Sequence, residues 1–225
     1  MNANSPLHTR SATILALLCL GLGLAAAGTP PQIATCSACH GGNGMGNPTA
    51  NFPPLAGQPA HYLEQQLKAF KTGTRQSSIM QGMAASLSAS DRKAIADYYA
   101  ALPVPPASEP SPAPTGLGAT IALAGLNPGT PKAVPACAAC HGAGGLGQGE
   151  AFPRIAGLPA AYIESQFSSW KAGTRHETTL HLMRNIADKL DSSQIDAVAS
   201  YYAALSPNPS SAKAAPSAAK PGAQG

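Results

Sequence analysis

The chain is one unit written twice. Cys36-Ser-Ala-Cys39-His40-Gly41 returns as Cys137-Ala-Ala-Cys140-His141-Gly142. Phe52-Pro53-Pro54-Leu55-Ala56-Gly57 returns as Phe152-Pro153-Arg154-Ile155-Ala156-Gly157, and Gly73-Thr74-Arg75 as Gly173-Thr174-Arg175. Tyr62 is answered by Tyr162, Phe70-Lys71 by Trp170-Lys171, and Tyr98-Tyr99 by Tyr201-Tyr202. A repeat of this length makes two small tandem domains the expected plan, in place of one large core. With 5% aromatic residues, two cores of ordinary side chains would be thin, so each domain invites a large apolar guest.

The cysteines say what that guest is. Of five, Cys19 lies in an apolar leader, and the other four all belong to Cys-x-x-Cys-His motifs. That motif reads as attachment of a c-type haem. Cys36 and Cys39, and again Cys137 and Cys140, are spaced to bond the vinyl groups along one porphyrin edge. His40 and His141 then follow as axial ligands to iron. The expected cofactors are two covalently bound haem c groups. Zinc ribbons separate their cysteine pairs by about 15–20 residues, whereas these pairs lie about a hundred apart. A thioredoxin-like pair needs a βαβ setting, which the sequence does not offer.

A sixth ligand decides between carrier and catalyst, because a filled position leaves no place for substrate. Leu87 and Leu190 set the repeat register, under which Met80 matches Met183 and Met83 matches Ile186. Met80 and Met183 are therefore the expected second ligands, and methionine opposite histidine raises the reduction potential. Met83 reads as a core residue. His181 is a competitor in the second copy only. His61 and His176 lack counterparts and read as surface residues. The carbonyl of Pro53 or Pro153 could orient the histidine ring, or the prolines could simply turn the chain. Arg75 and Arg175 could pair with haem propionates, or sit exposed at a helix end.

The elements read as helices. Pro59 suits a first helical position, Tyr62, Leu63, Leu67 and Phe70 recur at helical spacing, and Gly73 gives a stop. Ser88 with Asp91, and Asp191 with Gln194, resemble capping boxes. Ile95, Tyr98, Tyr99 and Leu102 form the stripe of a last helix ended by Pro103. A short helical patch at Thr120–Leu126 would open the second domain. His8 and Arg10, the apolar run 14–24 and Ala25-Ala26-Ala27 read as a signal peptide cleaved near Ala27, the run being about half a membrane span. The expected division is a signal at 1–27, domain 1 at 28–103, a Pro-rich linker at 104–119, domain 2 at 120–206 and a disordered tail at 207–225. Without Arg10, 13 basic side chains face 10 acidic ones, scattered rather than clustered, so no nucleic-acid partner is expected.

These motifs resemble the diheme cytochrome c4 family of class I c-type cytochromes, over nearly all of residues 31–206. The resemblance implies an all-α fold of two tandem cytochrome c-like domains, each wrapped around a covalent haem, with the haems edge to edge. It implies a periplasmic electron carrier and no enzyme. Electrons would pass from a quinol–cytochrome c reductase or a dehydrogenase to a terminal oxidase or reductase, and peripheral membrane association is compatible with that role. The alternatives are a cytochrome subunit docked to a dehydrogenase and a diheme peroxidase-type enzyme. One departure stands out: family domains open with a helix before the first motif. Here Gly28–Thr35 holds two prolines, so either that helix is missing or the apolar leader supplies it.

Overall fold

The structure is a computed structural model that describes residues 29–105, 115–176 and 181–205. The expected signal, most of the linker and the tail lie outside those residues. Nine α-helices form among them. The first half contributes α1 (Ile33–His40), α2 (Ala60–Thr72), α3 (Ser78–Ala85) and α4 (Ala89–Ala100). The second contributes α5 (Leu117–Leu123), α6 (Ala138–His141), α7 (Ala160–Lys171), α8 (Leu182–Ala187) and α9 (Ser192–Ala204). Only isolated bridges appear beside them, with no β-strand among the described residues. The fold is all-α.

Each half packs around its first long helix. In the first, α2 carries α3 and α4; in the second, α7 carries α8 and α9. Apolar side chains at helical spacing drive this. Leu63 and Phe70 of α2 meet Ile95 and Tyr99 of α4 in one cluster, and Ile163, Phe167 and Trp170 meet Ile195, Val198 and Tyr202 in another. Both anticipated capping boxes are present: Ser88 with Asp91 opens α4, and Asp191 with Gln194 opens α9. Pro59 sits one position earlier than expected. Its ψ of 133° keeps it outside the helix as the N-cap, and Gly73 ends that helix in the left-handed conformation.

The helix opening the second half runs Leu117–Leu123, not Thr120–Leu126. Gly125 has φ 76°, and Leu126 is drawn into a bridge with Val134, so the helix stops early and starts three residues sooner. It extends into the expected linker 104–119 because it docks on α9. Gly118 makes that docking possible. A Cβ there would lie 2.3 Å from the Ala197 carbonyl oxygen and 3.1 Å from Tyr201 Cβ. Gly118→Val should therefore push α5 off α9 and destabilise the second half by about 1–3 kcal/mol, the usual cost of overpacking. Denaturant unfolding of the holoprotein would measure it, and an unchanged midpoint would contradict the close approach.

Candidate haem centres

The two motifs lie at the ends of short helices, and the chain reverses after each. Gly46 N–H donates to the His40 carbonyl at 2.8 Å, and Gly147 N–H to that of His141 at 2.7 Å. Between these points the loop crosses a tyrosine ring. A Cβ on Gly44 would sit 2.9 Å from Tyr99, and one on Gly145 would sit 2.6 Å from Tyr202. The carbonyls of these glycines then accept from Leu55 and Ala56, and from Ile155 and Ala156. The Phe-Pro segment is thereby folded back over the motif.

That folding orients the histidines. His40 Nδ1–H donates to the Pro53 carbonyl at 2.8 Å, and His141 Nδ1–H to the Pro153 carbonyl at 2.9 Å. A carbonyl oxygen can only accept, so the proton is on Nδ1 and Nε2 keeps its lone pair. Both prolines orient the ring, and the reading of them as mere turns is set aside. Burial lowers the pKa of each imidazole, partly opposed by that carbonyl, which favours the neutral ring a metal requires. Phe52 and Phe152 flank the rings at 6.1 and 6.2 Å between centroids.

All four cysteines are free and half-buried. Burial pushes the Cys137 thiol up to about 11 and raises Cys36 as well. A redox-active pair needs the opposite shift, so the thioredoxin alternative loses its chemistry. No group of three or more His, Cys, Asp or Glu is placed to hold a metal ion among the described residues, which disfavours zinc.

Met80 on α3 and Met183 on α8 are half-buried, each against the cluster that contains the cysteine of its own half. Met83 is 48% exposed, so it is not the core residue its sequence position suggested. The helical repeat turns Met80 and Ala84 inward, which sends Ile79 and Met83 out. His181 is exposed, with φ 49° at the N-cap of α8. His61 and His176 are exposed, as expected.

Around each motif the walls are apolar: Leu55, Tyr62, Leu67 and Tyr98 with Cys36, and Leu126, Ile155, Tyr162 and Ile186 with Cys137. The buried hydroxyls of Tyr99 and Tyr202 and the Trp170 Nε1 have no hydrogen-bond partner. Paired thiols, an oriented imidazole with a free Nε2, a thioether and orphaned donors in an apolar shell fit a haem in each half.

Sequence reasoning passed over two sets of residues. Lys71 Nζ donates to the Leu87 carbonyl, and Lys171 Nζ to that of Leu190, tying α2 and α7 to the end of each methionine helix. Gln66 and Gln166 bond both Arg75 and Arg175. Repetition at a spacing of one hundred residues was the available signal for both. Neither arginine is exposed: 6% and 7% of their surfaces remain accessible.

The cytochrome c family model matches residues 31–102 and 131–206. The chain is 46% identical over 190 residues to a thiosulfate dehydrogenase electron acceptor from Thiomonas intermedia, covering 82% of this chain and 85% of that one. Reduced cytochrome c4 from Pseudomonas stutzeri superposes with TM-score 0.67 at 33% identity, covering 77% and 95%. Thiosulfate dehydrogenase (TsdBA) from Marichromatium purpuratum superposes with TM-score 0.66 at 35% identity, covering 75% of this chain and 36% of that one.

Proposed function

The chain belongs to the cytochrome c family as a diheme, cytochrome c4-like electron-transfer protein with two covalently bound haem c groups, and from that footing we propose that it accepts electrons from a thiosulfate dehydrogenase in the periplasm. The observation that carries the donor assignment is the 46% identity to a thiosulfate dehydrogenase electron acceptor, along 85% of that protein's length. The solved TsdBA enzyme, one-third of which this chain matches, supports docking at such a dehydrogenase.

In this reading Cys36, Cys39, Cys137 and Cys140 form the thioether links. His40 and Met80 would hold the first iron, and His141 and Met183 the second. When bound, each haem would supply a one-electron iron couple. The protein's own part is to keep conditions constant around that couple. The Pro53 and Pro153 carbonyls fix the imidazoles, the lysine ties hold the methionine helices, and the apolar walls exclude water. With a histidine and a methionine for each iron, no position would be left for a substrate, and this reading makes the chain a carrier. Signal cleavage near Ala27 and the division at 28–103, 104–119 and 120–206 belong to the same proposal, with α5 extending the second unit back to Leu117.

The test is anaerobic mixing of the oxidised holoprotein with a thiosulfate dehydrogenase and thiosulfate. Both haems should become reduced, much faster than with thiosulfate alone. Reduction no faster than the enzyme-free control, alongside rapid reduction by a quinol-oxidising complex, would move the donor to that complex. Ready carbon monoxide binding to the reduced wild type would overturn the carrier role.

A further inference from the structure

One side chain of the first half reaches the peptide that orients the histidine of the second. Gln58 is buried, with 5% of its surface accessible. Its Nε2–H donates to the Arg154 carbonyl at 2.8 Å, and its Oε1 accepts from the Arg154 N–H at 3.0 Å. A backbone N–H can only donate and a carbonyl can only accept, so the Gln58 amide has one orientation here. The Arg154 N–H belongs to the same planar peptide as the Pro153 carbonyl, and that carbonyl accepts from His141 Nδ1–H at 2.9 Å. Gln58 Oε1, the 153–154 peptide and the His141 imidazole therefore form one hydrogen-bonded chain.

The first half cannot form such a chain. The repeat puts Pro54 where Arg154 stands, and Leu158 where Gln58 stands. The backbone turns are alike: Gln58 N–H donates to the Leu55 carbonyl at 3.2 Å, and Leu158 N–H to that of Ile155 at 3.3 Å. Only the side chains differ. Pro54 has no N–H, so the 53–54 peptide, whose carbonyl orients His40 at 2.8 Å, has nothing to donate. Leu158 is buried in the apolar cluster of its own half. The two imidazoles thus donate to carbonyls of unequal strength.

We propose that Gln58 is a positioning residue for the second haem centre: from the other half of the chain it strengthens His141 as a ligand, and so makes the second iron easier to oxidise. Donation from the Arg154 N–H to Gln58 polarises the shared peptide and places more negative charge on the Pro153 oxygen, since hydrogen bonds in a chain strengthen one another. A stronger acceptor draws the Nδ1 proton harder and leaves more electron density on Nε2. Oxidised iron gains more from that density than reduced iron does, so the midpoint falls. The second bond, from Gln58 Nε2 to the Arg154 carbonyl, holds the segment in register, and burial keeps water from replacing either partner. This role rests on the haem assignment made above and deepens it.

The test uses the full holoprotein, with haem counted per chain first; fewer than two haems in the wild type would sink the haem assignment, a separate failure. The second midpoint is identified as the one that Met183→Ala moves. Gln58→Leu should raise that midpoint and leave the first unmoved. The expected change in the reduction equilibrium is on the order of twofold to tenfold, about 20–60 mV at 59 mV per tenfold for one electron. In reduced protein carrying isotope-labelled histidine, the His141 Nδ1–H resonance of Gln58→Leu should move upfield and exchange faster with solvent, while that of His40 stays in place. Gln58→Glu, which keeps an oxygen for the Arg154 N–H, should hold the His141 resonance near its wild-type position. An unmoved second midpoint and His141 resonance in Gln58→Leu overturn the proposal. So do equal shifts of both midpoints, the mark of two halves loosened against each other. Should Gln58→Leu fail to retain both haems, the wild type decides: slow exchange of the Arg154 amide supports the chain, and exchange as fast as that of an exposed loop amide overturns it.

Discussion

Replacing Cys137 and Cys140 together with serine should leave a chain with one haem in place of two, halving the haem absorbance per chain after denaturation. The cause is local and covalent. The two sulfurs of a motif fasten one porphyrin edge, and the only cysteine outside the two motifs is Cys19, in the apolar leader. The effect should also stay within the second half. Its buried cluster shares no residue with that of the first, so Cys36, Cys39 and His40 keep their environment. In the second half Cys137 packs against the cluster built on Ile121, Val198 and Tyr202, and losing the group that fills its centre should lower the unfolding temperature there. The mirror variant, Cys36→Ser with Cys39→Ser, should leave the other haem. Two haems retained in either variant would end the thioether assignment.

The methionines give the second large effect. Met80→Ala and Met183→Ala should each remove about half of the far-red sulfur-to-iron band of the oxidised protein. Each should also lower the midpoint of one haem, because losing thioether opposite histidine removes a ligand that raises the potential. The opened position should then bind carbon monoxide when reduced. Met83→Ala is the control. Its side chain is 48% exposed on the outer face of α3, while Met80 packs inward with Phe70 and Leu87. The band should survive that change intact. If Met83→Ala removed it instead, the repeat register that pairs Met80 with Met183 would be wrong.

Much of the architecture was legible because it is written in short-range signals. Capping boxes at Ser88 and Asp191 announce helix starts within three residues, and the stripes of α2 and α4 need only helical spacing to be seen. The structure departs where a distant partner overrides a local pattern. The helix at Leu117 follows its docking on α9, which a window around Thr120 cannot contain. Met83 reads as core because the repeat register matches it to Ile186, but the rotation of α3 is set by what α2 offers, and that turns Ala84 inward. The histidine tautomers depended on carbonyls 13 and 12 residues away. The proline pattern suggested these carbonyls without distinguishing an acceptor from a turn.

By itself the sequence determined the cofactor chemistry and the plan. Two thiols and an imidazole within five residues must lie together whatever the remainder of the chain does, and duplication doubles the result. Only the tertiary structure decided what the repeated Gly-Thr-Arg is for. Residues a hundred positions apart meet there, Arg75 with Tyr162 and Arg175 with Tyr62. No local spacing encodes that meeting, because it depends on how two folded halves set α2 and α7 beside each other.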